Sequence, residues 1–530
     1  MADDMLNIAD HFLGDRLREG RGDRIALRLD DGTRTYADVE RGAARFADAL
    51  HQLGVRQEER VVVALPDGEA FVGAVFGVLK LGAVVVMVNP ALGTEALRGI
   101  LDYGRVPVAI VTADVMASFA RAAAGGREAP PHLLVVDVGA DATDIVAGAR
   151  GRAGHADLAG GHTMLRAMDL ADAYETVATH RDDPAVWLFS GGTTGRPKAV
   201  VQTHASFANA AQHYAREAMG YREDDVAIGV PKLFFGYALG AVLFFPFVCG
   251  GSAVLFAERP TPAALCDRIE AHRPTVLVTV PSMIATLLDD PQTARRDLSS
   301  VRFATSAGEA LPVALYERWT TRLGIPLYDG LGTAEQWHIF VSNQPGAVQA
   351  GTLGTAVPGY DVEVRDDEGR PVPAGAVGRL WVRGGSRAIA YWRDMARTRE
   401  VFRGEWVVTG DLITKDADGF VTYVGRGDDA LKVKGRWLLP TEVESCLLDH
   451  PHVVECAVVG AADVDGLVKP VAFVVASTDD PGLPDALQRF ALERLEPYKH
   501  PRRVLVVDDL PRTHLGKVDR TALKRRAAVA

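Results

Sequence analysis

The sequence predicts an α/β protein: a large N-terminal α/β domain followed by a small α+β C-terminal domain. Three observations lead there. At 530 residues the chain exceeds a single ordinary core, so two or more domains are expected. Up to residue 427 short apolar runs alternate with amphipathic stretches, as in largely parallel strands layered with helices. From residue 428 to 530 the period changes to a helix over 440–448, strands over 453–459 and 471–475, a helix over 484–495 and a strand over 504–507. That is a unit large enough for a core of its own.

Composition bounds the function. A hydrophobic content of 48% and a charged content of 24% are those of a soluble globular protein. A net charge of −11 argues against a nucleic-acid partner. The four cysteines, Cys249, Cys266, Cys446 and Cys456, show no zinc-ligand spacing and read as unpaired thiols of a reducing compartment. The start, Met1–Met5, is acidic and lacks a signal peptide's basic region and apolar core. The apolar run 83–88 is too short to span a bilayer. The expectation is a cytoplasmic protein with no membrane partner.

Taken in order, Arg24–Leu29 reads as a strand, and Asp31-Gly32 turns the chain into Thr33–Tyr36. An amphipathic helix follows over 36–53, ended by Gly54. Val61–Leu65 is a strand, Phe71–Lys80 a helix stopped by Gly82, and Val84–Val88 the next strand. The Ala-, Gly- and Asp-rich stretches 122–131 and 138–162 read as surface connections.

The apolar strand Ala185–Phe189 then runs into Ser190-Gly191-Gly192-Thr193-Thr194-Gly195-Arg196-Pro197-Lys198. Three glycines allow close approach of the backbone to a ligand. The hydroxyls of Ser190, Thr193 and Thr194, with exposed N–H groups, suit phosphate oxygens. Arg196 and Lys198 add positive charge. This is not the Walker pattern, because Pro197 precedes Lys198 and Ala199 follows it. Taken alone, such a run is more often a flexible surface loop; its place directly after a buried strand, together with the motifs that follow, points to a polyphosphate.

Five further stretches carry chemistry. Pro231–Gly240 is dense in aromatics, which more often make plain core. Strands over 275–280 and 301–305 precede Pro281-Ser282 and Ser306–Pro312, and the small residues of the latter let a flat ring lie against the backbone. Asp329-Gly330-Leu331-Gly332-Thr333-Ala334-Glu335 ends on a carboxylate, a hard oxygen ligand for Mg²⁺, and leads into Gln336-Trp337-His338-Ile339-Phe340. Strand-like runs over 377–383, 405–411 and 420–424 bring in Thr409-Gly410-Asp411 and then Gly425–Gly435, for which spacing alone does not exclude a charged surface hairpin. Leu510-Pro511-Arg512-Thr513-His514-Leu515-Gly516-Lys517 lies near the end, where lysines are usually solvated.

These motifs, in this order over roughly residues 20–525, resemble the adenylate-forming superfamily of acyl-CoA synthetases, aryl-CoA ligases, luciferases and adenylation domains. The subgroup they are most similar to is that of the benzoate-type aryl-CoA ligases. The resemblance implies a large domain of stacked subdomains, residues 1–427, joined by a hinge to a mobile small domain, residues 428–530. It implies ATP binding by Ser190, Gly191, Gly192, Thr193, Thr194, Gly195, Lys198, Gly308, Glu309, Asp329, Gly330, Leu331, Thr333, Asp411 and Arg426. Lys517, Glu335 and Thr193 are the implied catalytic residues, and Glu335 and Thr194 the implied Mg²⁺ ligands. Gly236, Tyr237, Ala307, Gly332, His338 and Ile339 would line the acyl pocket. Asp428 would be the hinge, and Lys432, Gly435, Arg436 and Trp437 would serve coenzyme A.

Ala334 departs from the superfamily, which has threonine there on the α-phosphate; Thr333 stands one residue earlier. No acid lies between Pro231 and Pro246, where amino-acid-activating relatives place an aspartate, so a substrate held by its α-amine is disfavoured. The implied reaction joins an aromatic acid to ATP, with Mg²⁺, and then to the thiol of coenzyme A, in a monomer or homodimer. The alternatives are an enzyme loading an acyl carrier protein, a medium-chain fatty acyl-CoA ligase, and a non-catalytic nucleotide or acyl sensor.

Overall fold

Helix Tyr36–Gln52 starts at a reciprocal cap: the Thr35 hydroxyl accepts from the Asp38 N–H, and the Asp38 carboxylate accepts from the Thr35 N–H. It packs on helix Glu69–Lys80 at Gly77, where a Cβ would stand 2.5 Å from that of Phe46. The missing side chain lets the two helices approach this closely. The computed structural model describes residues 4–124, 132–136, 145–148, 164–166, 170–190, 198–433, 436–462, 467–512 and 518–529.

Two nine-stranded sheets carry the N-terminal part. One runs, edge to edge, Thr355–Ala356, Ile339–Ser342, Leu327–Gly332, Phe303–Ala307, Val276–Thr279, Val226–Gly229, Ser252–Val254, Ile25–Leu29 and Gly32–Thr35. Its middle strands are parallel, with Ser306 beside Asp329 and Ala307 beside Gly330. The other runs Ala390–Tyr391, Lys198–Thr203, Pro184–Ser190, Val84–Met87, Arg60–Ala64, Val108–Thr112, His132–Val136, Ile145–Gly148 and Met164–Arg166. Ser190 and Lys198 face each other in antiparallel register, so the strands flanking the Gly/Ser/Thr run form a hairpin. A third, smaller sheet holds Tyr360–Arg365, Gly378–Gly384, Phe402–Arg403, Trp406–Lys415 and Val421–Arg426.

An aromatic core binds the layers. Phe12 stacks on Phe244 at 4.4 Å, and Phe76 and Phe207 lie against the same ring at 5.8 Å. Phe244 belongs to one continuous helix built of Gly236–Ala238, the π-helical turn Leu239–Phe244 and Phe245–Cys249. The π-helical segment sits where the chain passes the candidate acyl pocket.

The C-terminal part has the antiparallel pair Leu431–Val433 and Arg436–Leu438, a three-stranded sheet of Val453–Ala462, Val468–Ala476 and Arg503–Val506, and helices Pro440–Leu448 and Leu483–Arg494. Two apolar clusters there contain only residues from Leu431 onward. Among the described residues no helix is long and apolar enough to cross a membrane, and all four cysteines are free.

The structure corrects the readings of the strand at 301–305 and of the connections at 122–131 and 138–162, and adds a helix near the C-terminus that was not expected. The strand expected over 301–305 lies at Phe303–Ala307, because its parallel neighbours hold Ser306 and Ala307 in the ladder. The connections expected at 122–131 and 138–162 contain the end of helix Ala113–Ala124 and strand Ile145–Gly148, which extends the sheet by pairing with His132–Val136. Helix Arg520–Val529 ends the chain: Leu523 and Ala527, four residues apart, are buried against the strand carrying Ala457 and Val459. That spacing was visible, but the surrounding basic residues masked it.

Candidate active site

The site is built where strand ends from both large sheets meet, as open α/β sheets direct their ligands to the carboxyl ends of strands. The short turn Ala334–Gln336 packs onto the strands ending at Ser190 and beginning at Lys198. Gln202 donates from Nε2 to the Ala334 carbonyl at 2.6 Å, fixing that turn. Tyr391 donates its hydroxyl to Oε1 of Glu335 at 2.6 Å, and burial together with that carboxylate holds the phenol protonated far above its usual range. The Lys198 ammonium lies 6.0 Å from the Tyr391 ring centroid. Its pKa is lowered by burial, then by Arg397. The Thr333 hydroxyl is buried with no hydrogen-bond partner among the described residues.

The candidate acyl pocket turns on His338. A γ-turn with a positive-φ residue precedes it: Trp337 has φ 57° and ψ −55°, and the His338 N–H donates to the Gln336 carbonyl at 2.7 Å. Such turns are rare and strained in a bulky residue. The turn buries two successive rings, Trp337 against Phe207 at 4.0 Å and His338 against Phe245 at 4.6 Å. Two glycines make room: a Cβ on Gly240 would stand 2.5 Å from His338 Cδ2, and one on Gly332 would stand 2.6 Å from the His338 carbonyl oxygen. The His338 Nε2–H donates to the Tyr237 carbonyl at 3.1 Å, and burial pushes its pKa down to about 3, so the ring is neutral. The Tyr237 hydroxyl pairs with the Thr305 hydroxyl at 2.7 Å. Gly236 opens the helix, Ala307 ends its strand and Ile339 begins strand Ile339–Ser342.

On the candidate nucleotide side, Asp411 and Arg426 are cross-strand partners, with Arg426 Nη1 donating to Asp411 Oδ1 at 3.3 Å. A Cβ on Gly410 would stand 2.5 Å from Arg426 Nη2, so the glycine lets the guanidinium lie across the strand. Arg426 also reaches Asp428 at 3.6 Å, linking the ribose candidate to the expected hinge residue. Gly308 has φ 90°, and Glu309 accepts from the N–H and hydroxyl of Ser282 at 2.9 and 3.1 Å, capping helix Pro281–Asp289. Gly330 and Leu331 complete the strand that bears Asp329.

Asp329 is buried, and its pKa is pushed up to about 7 by that burial, opposed by the Ser306 hydroxyl and the Gly330 N–H. Between about pH 4 and 7 the unfolded chain has lost this proton and the folded one keeps it, so stability falls as pH rises through that window. Asp329→Asn is therefore expected to gain on the wild type by at most about 1.4 kcal/mol per pH unit there. Denaturant melts at pH 5 and 7 check it; parallel pH dependence of the two proteins counts against a neutral Asp329.

Lys432 pairs with Trp437 in the backbone ladder, and Arg436 is exposed, over the Tyr498 ring at 5.3 Å and 3.7 Å from Glu496. Gly191, Gly192, Thr193, Thr194, Gly195, Gly435 and Lys517 lie outside the described residues. Sequence reasoning missed Tyr391, Gln202, Arg397 and the turn at Trp337. None carries a motif of its own, and only the fold brings Tyr391 to Glu335.

Residues 15–392 match the family model of the AMP-binding enzyme, and residues 442–517 that of the AMP-binding enzyme C-terminal domain. The chain is 38% identical over 526 residues to a benzoate–CoA ligase of Thauera aromatica, covering 98% of this chain and 95% of that protein. It is 37% identical to a 4-hydroxybenzoate–CoA/benzoate–CoA ligase of Rhodopseudomonas palustris, covering 98% and 94%. The crystal structure of the anthranilate CoA ligase AuaEII in complex with anthranoyl-AMP superimposes with a TM-score of 0.88 at 33% identity, over 99% of this chain and 98% of that one.

Proposed function

We propose that this chain, which belongs to the AMP-binding enzyme family, is an ATP-dependent aryl-CoA ligase acting on benzoate-like acids. The observation that carries this is identity of 38% to a benzoate–CoA ligase across 98% of the chain. The Tyr237 and His338 rings lie 5.5 Å apart, and the absence of any acid between Pro231 and Pro246 supports a flat uncharged ring rather than an ammonium.

A carboxylate is a poor electrophile and is repelled by the triphosphate, so the first step is largely electrostatic and positional. The acid's oxygen attacks the α-phosphorus, and the bond to the β-phosphate breaks with its electron pair leaving on pyrophosphate. In this reading Asp411 and Arg426 hold the ribose, Lys198 and the phosphate loop hold the polyphosphate, and Lys517 bridges the carboxylate and the α-phosphate. In the second step the thiol of coenzyme A attacks the acyl carbon, AMP leaves with the C–O electron pair, and the thiol proton passes to solvent. The division into residues 1–427 and 428–530, with Asp428 as hinge, belongs to the same reading.

Glu335 and the Thr194 hydroxyl would hold Mg²⁺. The Glu335 carboxylate fits: Tyr391 occupies its Oε1, and the second oxygen is a hard ligand. When bound, the ion supplies positive charge to the phosphoryl oxygens.

The test is a panel of benzoate, hydroxybenzoates, aminobenzoates and medium-chain acids with ATP, Mg²⁺ and coenzyme A, read by thioester mass. Aryl thioesters are the expected products. Thioester from the alkyl acids alone would overturn the aryl assignment, and adenylate without thioester would point to a carrier protein as acceptor.

A further inference from the structure

Asp67 lies between strand Arg60–Ala64 of one large sheet and helix Glu69–Lys80. Lys232 lies in the stretch Pro231–Phe235, which leaves strand Val226–Gly229 of the other large sheet and runs into the helix of Tyr237. That stretch has no ladder of its own, and no side chain caps the start of the helix. Among the described residues two hydrogen bonds tie it to remote parts of the fold. The Leu233 N–H donates to Oδ1 of Asp67 at 2.9 Å, and the Lys232 ammonium donates to the Phe256 carbonyl at 2.6 Å. The two anchors are joined to each other: the ammonium lies 4.0 Å from Oδ2 of Asp67 and 3.9 Å from the centre of the Phe256 ring. The Asp67 side chain is 8% exposed and that of Lys232 15%, so both charges are held inside the fold.

From this anchor the chain of contacts runs to the candidate acyl pocket. The Phe235 N–H donates to the Lys232 carbonyl at 2.9 Å, and the Leu239 N–H donates to the Phe235 carbonyl at 2.9 Å, which starts the helix. Gly236 and Tyr237 follow at once; the Tyr237 hydroxyl meets Thr305, and its carbonyl accepts from His338. Packing alone holds this entry loosely. From Ala238 to Val248 every residue is buried, whereas between Pro231 and Tyr237 only Leu233 is. Phe234 and Phe235 are half-buried, their rings 4.4 Å apart. The place at which the helix delivers Gly236 and Tyr237 therefore depends on the bonds to Asp67 and Phe256 more than on core contacts.

We propose that Asp67, acting with Lys232, is a positioning residue for the acyl pocket: it sets the start of the Tyr237 helix, and so the fit of the aromatic acid, without touching substrate. The inference rests on the aryl-ligase reading above and adds to it two residues that had no role there. A merely structural aspartate would change the yield or the melting point of the protein and leave the acid affinity of the folded enzyme as it was. A positioning one weakens acid binding and spares ATP binding.

The experiment is ATP–pyrophosphate exchange by full-length wild type, Asp67→Ala, Asp67→Asn and Lys232→Met, with benzoate and ATP varied in turn. It is run at pH 8, above the value of about 6 to which burial pushes the Asp67 pKa against the pull of Lys232 and the Leu233 N–H. In Asp67→Ala the half-saturating benzoate concentration should rise roughly tenfold, the equivalent of one charge-assisted hydrogen bond. The maximal rate and the half-saturating ATP concentration should stay within about twofold. Asp67→Asn keeps an acceptor for the Leu233 N–H and should rise less; Lys232→Met should rise several-fold. Amide hydrogen exchange of the free proteins, read by mass spectrometry, gives a second measure that needs no substrate. Peptides covering 231–238 should exchange several-fold faster in Asp67→Ala than in the wild type, and those covering Phe303–Ala307 should not. Should the Ala variant fail to fold, Asp67→Asn and Lys232→Met decide by the same two measures. Unchanged half-saturating benzoate, an equal rise for ATP, or unchanged amide exchange over 231–238 overturns the proposal. A wild type that exchanges no pyrophosphate with any aryl acid would instead sink the aryl-ligase reading, and faster amide exchange over 231–238 in the variants would still establish the Asp67 anchor.

Discussion

Lys517→Ala is expected to cut pyrophosphate exchange into ATP by about a hundredfold to a thousandfold, the usual cost of removing one donor aimed at developing charge. Thioester formation from supplied benzoyl-adenylate should stay within a few-fold of the wild type. In the proposed mechanism a single ammonium answers two problems of the first step, the repulsion between carboxylate and triphosphate and the charge growing on the α-phosphoryl oxygens. Neither exists once the adenylate has formed. Rapid-quench assays of the two half-reactions, run separately on the same preparation, make the comparison. Equal loss of both would mean that the lysine shapes the small domain rather than the chemistry.

How much of this was legible in the residues can be judged position by position. The layers were: the alternation of apolar runs with helical stretches places Tyr36–Gln52, Glu69–Lys80 and Val276–Thr279 within a residue or two of their readings, because local periodicity reports burial directly. Strand Ile145–Gly148 was not, since an edge strand of four residues in Ala- and Gly-rich surroundings draws its stability from pairing with His132–Val136 rather than from its own pattern. The site shows the same contrast. Asp411, Arg426 and His338 were named as site candidates because they sit inside recognisable motifs, and their roles stand as proposals. Tyr391 was not, since it is brought beside the strand of Lys198 by a pairing within one sheet between segments nearly two hundred residues apart, and its hydroxyl reaches Glu335 only in the fold. The seat of His338 depends on an absence, the missing side chain of Gly240, nearly a hundred residues upstream. Such dependence has no local signature.

Asp411→Ala should behave differently from the lysine variant, and the difference is informative. The carboxylate is buried and faces Arg426 across the ladder, so it can accept from both ribose hydroxyls while its charge is balanced. Two charge-assisted hydrogen bonds at about 1.5 kcal/mol each correspond to about a hundredfold in nucleotide affinity. The half-saturating ATP concentration should therefore rise by about that factor in Asp411→Ala, and by less in Asp411→Asn, which keeps one acceptor oxygen. The half-saturating concentration of the aryl acid should hardly move. The ribose is present in ATP and in the adenylate alike, so the second half-reaction should also suffer, through weaker retention of supplied benzoyl-adenylate. Initial rates against each substrate in turn, for both half-reactions, give the answer. A variant that lost the first step and kept the second intact would mean that the strand Trp406–Lys415 releases the nucleotide between steps. The moving part would then begin upstream of Asp428 and carry Asp411 with it.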